Sequence, residues 1–488
     1  MCSRACRPED VARKAPIVVA SNRGPVAFAR APDGSIEQRR GVGGLVTAVG
    51  GALRGRDAAW VAAAFTNEDR EQAARGRFTF DVGGATVRVR LAALDEKLYD
   101  AYYNEFSNRI LWFLHHYLWE TPRAPEPGPA EGAAWDAYET VNERFAELIA
   151  DEAPEGATAM PQDYHLSLVP GVLRAHRPDL RIGTFWHIPF CQPDQYRVLP
   201  DVWGAALLRG MLCADAIGFQ TQRWADNFTA CCREVLGATV KGKHVSIDGR
   251  SARVGVYPVG VDVDLLRSQA GQPEVEEAAK RIDALVGDRT MLLRVDRTEL
   301  SKNILRGFIA YERLLERRSD LHGRIVHLAL LTPSRRAIPE YQEYMRACRA
   351  RADQINERFS TPDWQPLILD ESDDFPATLA AYRRYDILIV NPVFDGMNLV
   401  AREGPVINER DGTLILSRNA GAAAELHPAL LVNPFDADGT ADAIERALGL
   451  SERERQERAH ALKELAPGVP PGDWLGRQIK DVTRRRGT

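Results

Sequence analysis

Short apolar runs recur along this chain, and most of them stop at a glycine, a proline or a charged group. They read PIVVASN (16–22), LRIGTFWHIPF (180–190), AIGFQT (216–221), VGVYPVG (254–260), TMLLRVD (290–296), RIVHLALL (324–331), YDILIVNP (385–392), GTLILS (412–417) and ALLVNP (429–434). Several are continuous rather than alternating, which predicts strands covered on both faces. Helical patterns lie between them. Val141, Phe145, Leu148 and Ile149 share one stripe, with Glu143, Arg144 and Glu147 facing away. Segments 303–317, 339–358 and 437–449 have the same character. Strands alternating with helices predict parallel, doubly wound α/β sheets. The chain has 488 residues, more than one such sheet uses, so two are expected. The boundary is expected near PVGVDVD (258–264), with PRAPEPGPAEG (122–132) as a surface loop, residues 1–14 as a disordered lead-in and the arginines at 484–486 in solvent.

Charge narrows the function classes. Lys and Arg number 63 against 68 Asp and Glu, a net of −5, without the basic excess of a nucleic-acid binder. No apolar run is long enough to span a bilayer, and the N-terminus lacks the apolar segment of a secretory signal, so a cytoplasmic location is expected. The cysteines, at 2, 6, 191, 213, 231, 232 and 348, form no CxxC pair, and the histidines form no HExxH, so neither a disulfide framework nor a metal site is expected.

Four polar segments follow predicted strands, where open α/β sheets bind ligands. The first is SNRGP (21–25) with GVGGLV (41–46). Its glycines Gly43 and Gly44, opening a helix, let backbone amides approach a phosphate or sugar, and Arg23 adds charge; a plain tight turn is the alternative. The second pairs QDYHL (162–166) with TFWHIP (184–189). Two histidine clusters with Asp163 suit a sugar site, although a lone histidine is commonly a satisfied structural group. The third is RVDRTELSKN (294–303), in which Arg294 at a strand end and Lys302 near a helix start suit a diphosphate; a solvated charge run is the alternative. The fourth is FDGMNLVARE (394–403). Free amides after Asp395 can hold a phosphate and Glu403 a ribose, against a simple capped turn.

Taken together, the segments resemble the trehalose-6-phosphate synthase family of retaining GT-B glycosyltransferases. Ten motifs carry the resemblance in order: SNRGP, GGL, YYNEFSNRILW (102–112), QDYHL, HIPF, GFQT (218–221), RVDRTELSKN, TPSR (332–335), DGMNLVARE (395–403) and NAGAAAEL (419–426). The resemblance implies two Rossmann-like domains facing a cleft: an acceptor domain over 15–257, a nucleotide-sugar domain over 258–459, and a helix within 460–488 crossing back to the first. It implies transfer of glucose from a nucleotide-glucose to glucose 6-phosphate with retention, giving α,α-trehalose 6-phosphate. No metal, cofactor, nucleic acid or membrane is implied, and a homo-oligomer is left open.

By the same resemblance, Arg23, Tyr103, Trp112 and Asp163 match acceptor positions, and Arg335 matches a contributor to the acceptor phosphate grip. Gly43, Gly44 and His187 match positions at the donor diphosphate and transferred glucose. Arg294 and Lys302 match the diphosphate pair and Asp395 a glucose-hydroxyl ligand. Met397, Asn398 and Leu399 match the backbone phosphate cradle and Glu403 the ribose ligand. His187, Arg294, Lys302 and Asp395 are the expected catalytic set. Many relatives have a shorter, glycine-ended Arg–Lys loop. Gln162 stands where many have His, a position expected to be peripheral. The acidic run 370–374, beside Leu330 and Leu331, is expected to border the donor base. A carboxylate accepts both donors of guanine, which slightly favours GDP-glucose over UDP-glucose. Two alternatives are a pseudo-glycosyltransferase joining cyclitols, disfavoured by retention of Tyr103, Trp112 and Asp163, and a silent sugar-phosphate-sensing subunit, disfavoured by retention of Arg294, Lys302 and Asp395.

Overall fold

Continuous apolar strands need cover on both faces, and the computed structural model provides it in two separate sheets. It describes residues 16–484 apart from 32, 42, 43, 83 and 85; the expected lead-in 1–14 and the end of the arginine tail lie outside the described residues. The chain divides into two compact units, one formed up to Val259 and again from Pro470, the other by Gly260–Val469.

The first unit holds a ten-stranded sheet. Its parallel centre runs Arg250–Val256, Ala216–Phe219, Arg181–Trp186, Thr158–Pro161, Ile17–Ser21, Ala58–Ala63, Thr86–Ala92. Antiparallel strands finish both edges. Chain order reverses beside Ile17–Ser21, so Thr158–Pro161 and Ala58–Ala63 flank the first strand. The second unit holds six strands, all parallel: Leu367–Asp370, Ile325–Thr332, Thr290–Arg297, Ile387–Val390, Thr413–Ser417, Leu430–Val432. This is the 3-2-1-4-5-6 order of a dinucleotide-binding sheet, and its switch point lies between Thr290–Arg297 and Ile387–Val390.

Packing follows the sequence pattern. In the helix Ile304–Arg317, Phe308, Tyr311, Leu314 and Leu315 are buried against the strands. Each such side chain contributes about 1.5–3 kcal/mol of burial. The opposite face carries Arg313 and Arg317, which with Arg318 just past the helix end pair with Asp438, Asp442 and Glu445 of the helix Ala437–Leu448. The stripe at 141–149 lies within the helix Pro129–Glu152, with its apolar residues buried.

Two boundaries differ from expectation. The segment 122–132 is not wholly loop, because helix Pro129–Glu152 starts inside it. Proline suits the first helical position, and the Glu131 carboxylate accepts the Gly128 amide at 2.9 Å. The late crossing between units falls at Val469/Pro470 rather than 459/460. Gly260 and Val261 donate to the carbonyls of Val469 and Pro467, which keeps the helix Glu452–Leu465 in the second unit.

The final helix, Pro471–Thr483, packs within the first unit. Trp474 is fully buried there, donates to the Tyr257 carbonyl at 3.0 Å and meets the Phe185 ring edge-on at 4.9 Å. Trp474→Ala leaves a cavity and a carbonyl without its partner. It is expected to destabilise the first unit by about 3–5 kcal/mol. Urea unfolding measures this, and a change below about 1 kcal/mol would mean the helix is not an integral layer.

Candidate active site

In the second unit, polar groups gather beyond the C-terminal ends of the two strands that flank the switch point. The strand Thr290–Arg297 leads through Glu299 into a single turn, Leu300–Lys302, and then into the helix Ile304–Arg317. The strand Ile387–Val390 leads to Asp395. The Lys302 ammonium donates to Asp395 Oδ2 at 2.5 Å, joining the two connections. Burial opposes the charge of Lys302, but Asp395 and Asp296 hold its pKa above the ordinary lysine value. Burial raises Asp296 to about 6, against the pull of Arg294 and Lys302.

The loop after Asp395 is shaped by close backbone approach. A Cβ at Gly421 would lie 2.0 Å from the Gly396 carbonyl oxygen, so only glycine fits there. Asn398 adopts φ +75, and its amide group donates to Asp395 Oδ2 at 3.1 Å and accepts from the Ala401 N–H at 3.1 Å. Met397 is buried, with its sulfur 3.4 Å from Arg402 Nε. Leu399 precedes the helix Val400–Ile407, and its carbonyl accepts the Arg402 and Glu403 amides at 2.9 and 2.8 Å. Glu403 sits one turn inside it, near the Tyr382 hydroxyl at 3.5 Å, and burial raises its carboxyl to about 7. The structure thus brings Lys302, Asp395, Met397, Asn398 and Leu399 together, with Glu403 on the same helix start.

Arg294, expected to pair with Lys302 on a diphosphate, is fully buried. Its side chain is 0% exposed, and its guanidinium donates to Asp296 at 2.7 Å, to the Lys302 carbonyl at 3.3 Å and to Asn391. A Cβ at Gly307 would lie 2.3 Å from Arg294 Nη2, so the helix grants that guanidinium a fitted seat. Such a group braces the loop from beneath, while its Nε is buried with no hydrogen-bond partner. The arginine that does reach the surface is Arg297, the last residue of the strand, with its side chain 50% exposed. The strand runs on through Arg297, and residues three apart point to opposite faces of a pleat.

In the first unit, residues after Ile17–Ser21 and Thr158–Pro161 gather at the other switch point. Ser21 accepts from Trp60 Nε1 at 2.8 Å and donates to the Arg23 carbonyl at 2.6 Å, fixing the turn. The Arg23 guanidinium lies 5.2 Å over Phe65. Phe65 meets Tyr99 and Tyr103 edge-on, and Tyr103 is stacked with both Tyr99 and His165. Trp112 ends a 12-residue wide-turn helix, Ala101–Trp112, and is buried against His116 and Tyr164. Wide-turn helices of this kind recur at functional sites. Asp163 adopts φ +71, a strained setting for aspartate, and its carboxylate accepts the His187 amide at 3.1 Å. Gly44 opens the helix Gly44–Ala52, and Gly43 lies outside the described residues.

Gln162 is not peripheral. Its side-chain nitrogen donates to the Met160 carbonyl at 3.0 Å, which turns its oxygen toward His187 Nε2, also at 3.0 Å. That oxygen only accepts, so His187 carries its proton on Nε2. Burial lowers its pKa to about 3, so the ring is neutral. The signal for this contact is the pairing of Gln162 with Phe185 across adjacent strands, which a single sequence does not display.

The family model for glycosyltransferase family 20 matches residues 15–484. The chain belongs to glycosyltransferase family 20. Among its relatives is a bifunctional trehalose-6-phosphate synthase/phosphatase of Thermoproteus tenax, 34% identical over 460 residues. The match covers 92% of this chain and 61% of that protein, so the chain spans less than two thirds of its length. The solved structure described as "Trehalose-6-phosphate from E. coli bound with UDP-2-fluoro glucose" is 30% identical, with a TM-score of 0.83 and coverage of 96% of this chain and 99% of that one. A UDP-forming α,α-trehalose-phosphate synthase from Burkholderia xenovorans in complex with glucose-6-phosphate is 27% identical, with a TM-score of 0.83 and coverage of 96% and 100%. The fold class of this family 20 member is GT-B. Among its described residues, no helix is long and apolar enough to cross a membrane.

Two measurements check the electrostatics. Glu403 has a folded pKa above its unfolded value of 4.5, so the folded protein holds that proton between pH 4.5 and about 7 and loses the associated stability as pH rises through this window. Unfolding free energy should fall across it by on the order of 3 kcal/mol, and Glu403→Gln should remove that slope; an identical slope in the variant would contradict it. Nitrogen NMR should find His187 neutral from pH 5 to pH 8 with its proton on Nε2, and Gln162→Leu should release that preference. A protonated ring at pH 6 would overturn the assignment.

Proposed function

We propose that this chain is a retaining glucosyltransferase that moves glucose from a nucleotide-glucose to C1 of glucose 6-phosphate, giving α,α-trehalose 6-phosphate. The observation that carries the reading is the set Arg297, Lys302, Asp395 and Glu403 at the switch point of the second sheet. In this reading Arg297 and Lys302 take the donor diphosphate, with the amides of Met397 to Leu399 beside them. Charge builds on the diphosphate as the glycosidic bond breaks, and cations held in place beforehand favour that state over the bound substrate. Asp395 orients Lys302 and takes a glucose hydroxyl; Glu403 takes the ribose hydroxyls. Arg23, Tyr103 and Asp163, backed by the buried Trp112, serve the acceptor, and Arg335 grips its phosphate. Neutral His187 offers the transferred sugar a hydrogen bond without adding charge. The acceptor hydroxyl attacks the face from which the diphosphate leaves, and a phosphate oxygen takes its proton. No side-chain nucleophile is needed, unlike the paired carboxylates of retaining glycosidases.

The donor base is the finer point. A crevice at the ends of Ile325–Thr332 and Leu367–Asp370 is lined by Leu330, Thr332, Asp370 and Asp373. Asp370 Oδ1 accepts the Ser372 amide at 2.8 Å and Asp373 Oδ1 the Thr332 hydroxyl at 2.9 Å. Carboxylates fixed in this way suit the two adjacent donors of guanine, so the reading favours GDP-glucose, whereas relatives are named as UDP-forming. Comparing turnover of the two donors decides it; a strong preference for UDP-glucose would overturn the guanine reading.

The activity itself is tested by incubating the protein with glucose 6-phosphate and each nucleotide-glucose. Nucleoside diphosphate release should depend on the acceptor, and the product should show the α,α-linkage by NMR. Absence of release with every donor would favour the silent sensing subunit. Arg297→Ala and Lys302→Ala should each lower kcat/KM by roughly 100-fold or more. Arg294→Ala should chiefly lower thermal stability. Full activity in the Arg297 variant, with loss of donor binding but not of stability in the Arg294 variant, would reverse their assignments.

A further inference from the structure

Glu299 is a fully buried carboxylate with no part in the reading above. Its side chain is 0% exposed. Its Oε1 lies 2.9 Å from Arg297 Nη1, accepts the Ser334 hydroxyl at 3.0 Å and stands 3.5 Å from Arg335 Nη1. Its Oε2 is buried and has no hydrogen-bond partner. Its own carbonyl accepts the Lys302 amide at 3.0 Å, and its amide donates to the Arg297 carbonyl at 2.7 Å. Ser334 and Arg335 follow the neighbouring strand, Ile325–Thr332. One side chain therefore ties two adjacent strand-end loops together and stands between two guanidinium groups.

Those groups repel each other, and a carboxylate this deep is costly unless cations surround it. Each therefore depends on the other. Burial works against the charge of Glu299, but Arg297, Arg335 and Lys302, with the Ser334 hydroxyl, hold its carboxyl at about 2. Arg335 has a side chain only 5% exposed and a backbone φ of +45, a conformation that an arginine keeps only when its surroundings impose it. Its guanidinium lies 5.3 Å over Tyr341, whose hydroxyl accepts from it. With Glu299 on one side and Tyr341 on the other, Arg335 is clamped.

We propose that Glu299 is a positioning residue that sets the spacing between Arg297 and Arg335, and so between the donor diphosphate and the acceptor phosphate. The proposal rests on the reading of these two arginines as phosphate ligands. It accounts for a buried charge at the junction of two loops that would otherwise be a liability, and it makes the acceptor's phosphate, rather than its sugar, the part that responds to Glu299.

The test compares Glu299→Gln, Glu299→Asp and Arg335→Ala, with glucose 6-phosphate and unphosphorylated glucose as acceptors. Glu299→Gln keeps the size and loses the charge. It should raise KM for glucose 6-phosphate about tenfold, the worth of one charge-assisted contact, and leave KM for glucose within twofold. Glu299→Asp keeps the charge and should recover part of the loss; it also carries the comparison should the glutamine variant fail to fold. Arg335→Ala should raise the same KM, and adding Glu299→Gln to it should change little more. A merely structural role would instead lower thermal stability and raise KM for both acceptors alike, and that result would overturn the proposal. If Arg335→Ala raises KM for glucose 6-phosphate and Glu299→Gln does not, the Glu299 proposal fails while the acceptor reading stands. If Arg335→Ala itself leaves that KM unchanged, the acceptor reading fails.

Discussion

The ion pair between Lys302 and Asp395 bridges the two strand ends at the switch point of the second sheet, and the site depends on it. Its position follows from topology. A parallel sheet in this order sends its first and fourth strands to opposite sides, which leaves a gap that no crossover connection covers. Whatever follows those two strands must line the gap. Here one strand is followed by Glu299 to Lys302 and the other by Asp395 to Leu399. A net charge of −5 on the whole chain is thus compatible with a cationic gap, because local placement decides what a bound anion meets.

Beneath Arg297 and the partly buried Lys302 lies a second layer that is charged and buried. Arg294, Asp296 and Asn391 are buried below the loop, and Arg402 is buried behind Met397 and reaches the Ala466 carbonyl. Buried charges of this kind are poor sources of net stability and good sources of fixed geometry. A loop that must hold a lysine at a set distance from a leaving group benefits from such bracing, since reorganisation during the reaction raises the barrier. In the first unit, the aromatic cluster of Phe65, Tyr103 and His165 packs beside Arg23.

Much of this was legible in the sequence. Strands buried on both faces declare themselves as unbroken apolar runs, and IVHLALL lies in the strand Ile325–Thr332 with every residue buried. The helix stripes declared themselves by spacing, as at Val141 to Ile149. What the sequence hid depends on contacts between strands and on where each strand stops. RVDR contains two arginines, and only the end of the strand at Arg297 and the fitted seat beside Gly307 tell which of them is buried. Gln162 acquires its meaning from a neighbour 25 residues away, just past the end of an adjacent strand. Glu299 looks like one more charge in a polar loop until Ser334, 35 residues on, is seen to donate to it. The helix start at Pro129 was masked by a run of prolines and glycines that reads as loop.

The most direct test of a gap built to hold a departing diphosphate is calorimetric comparison of a nucleoside diphosphate with the matching monophosphate, in the parent protein and in Lys302→Ala. The diphosphate should bind the parent at least about 100-fold more tightly, and the substitution should erase most of that difference. Equal affinity for the two nucleotides in the parent protein would contradict the account.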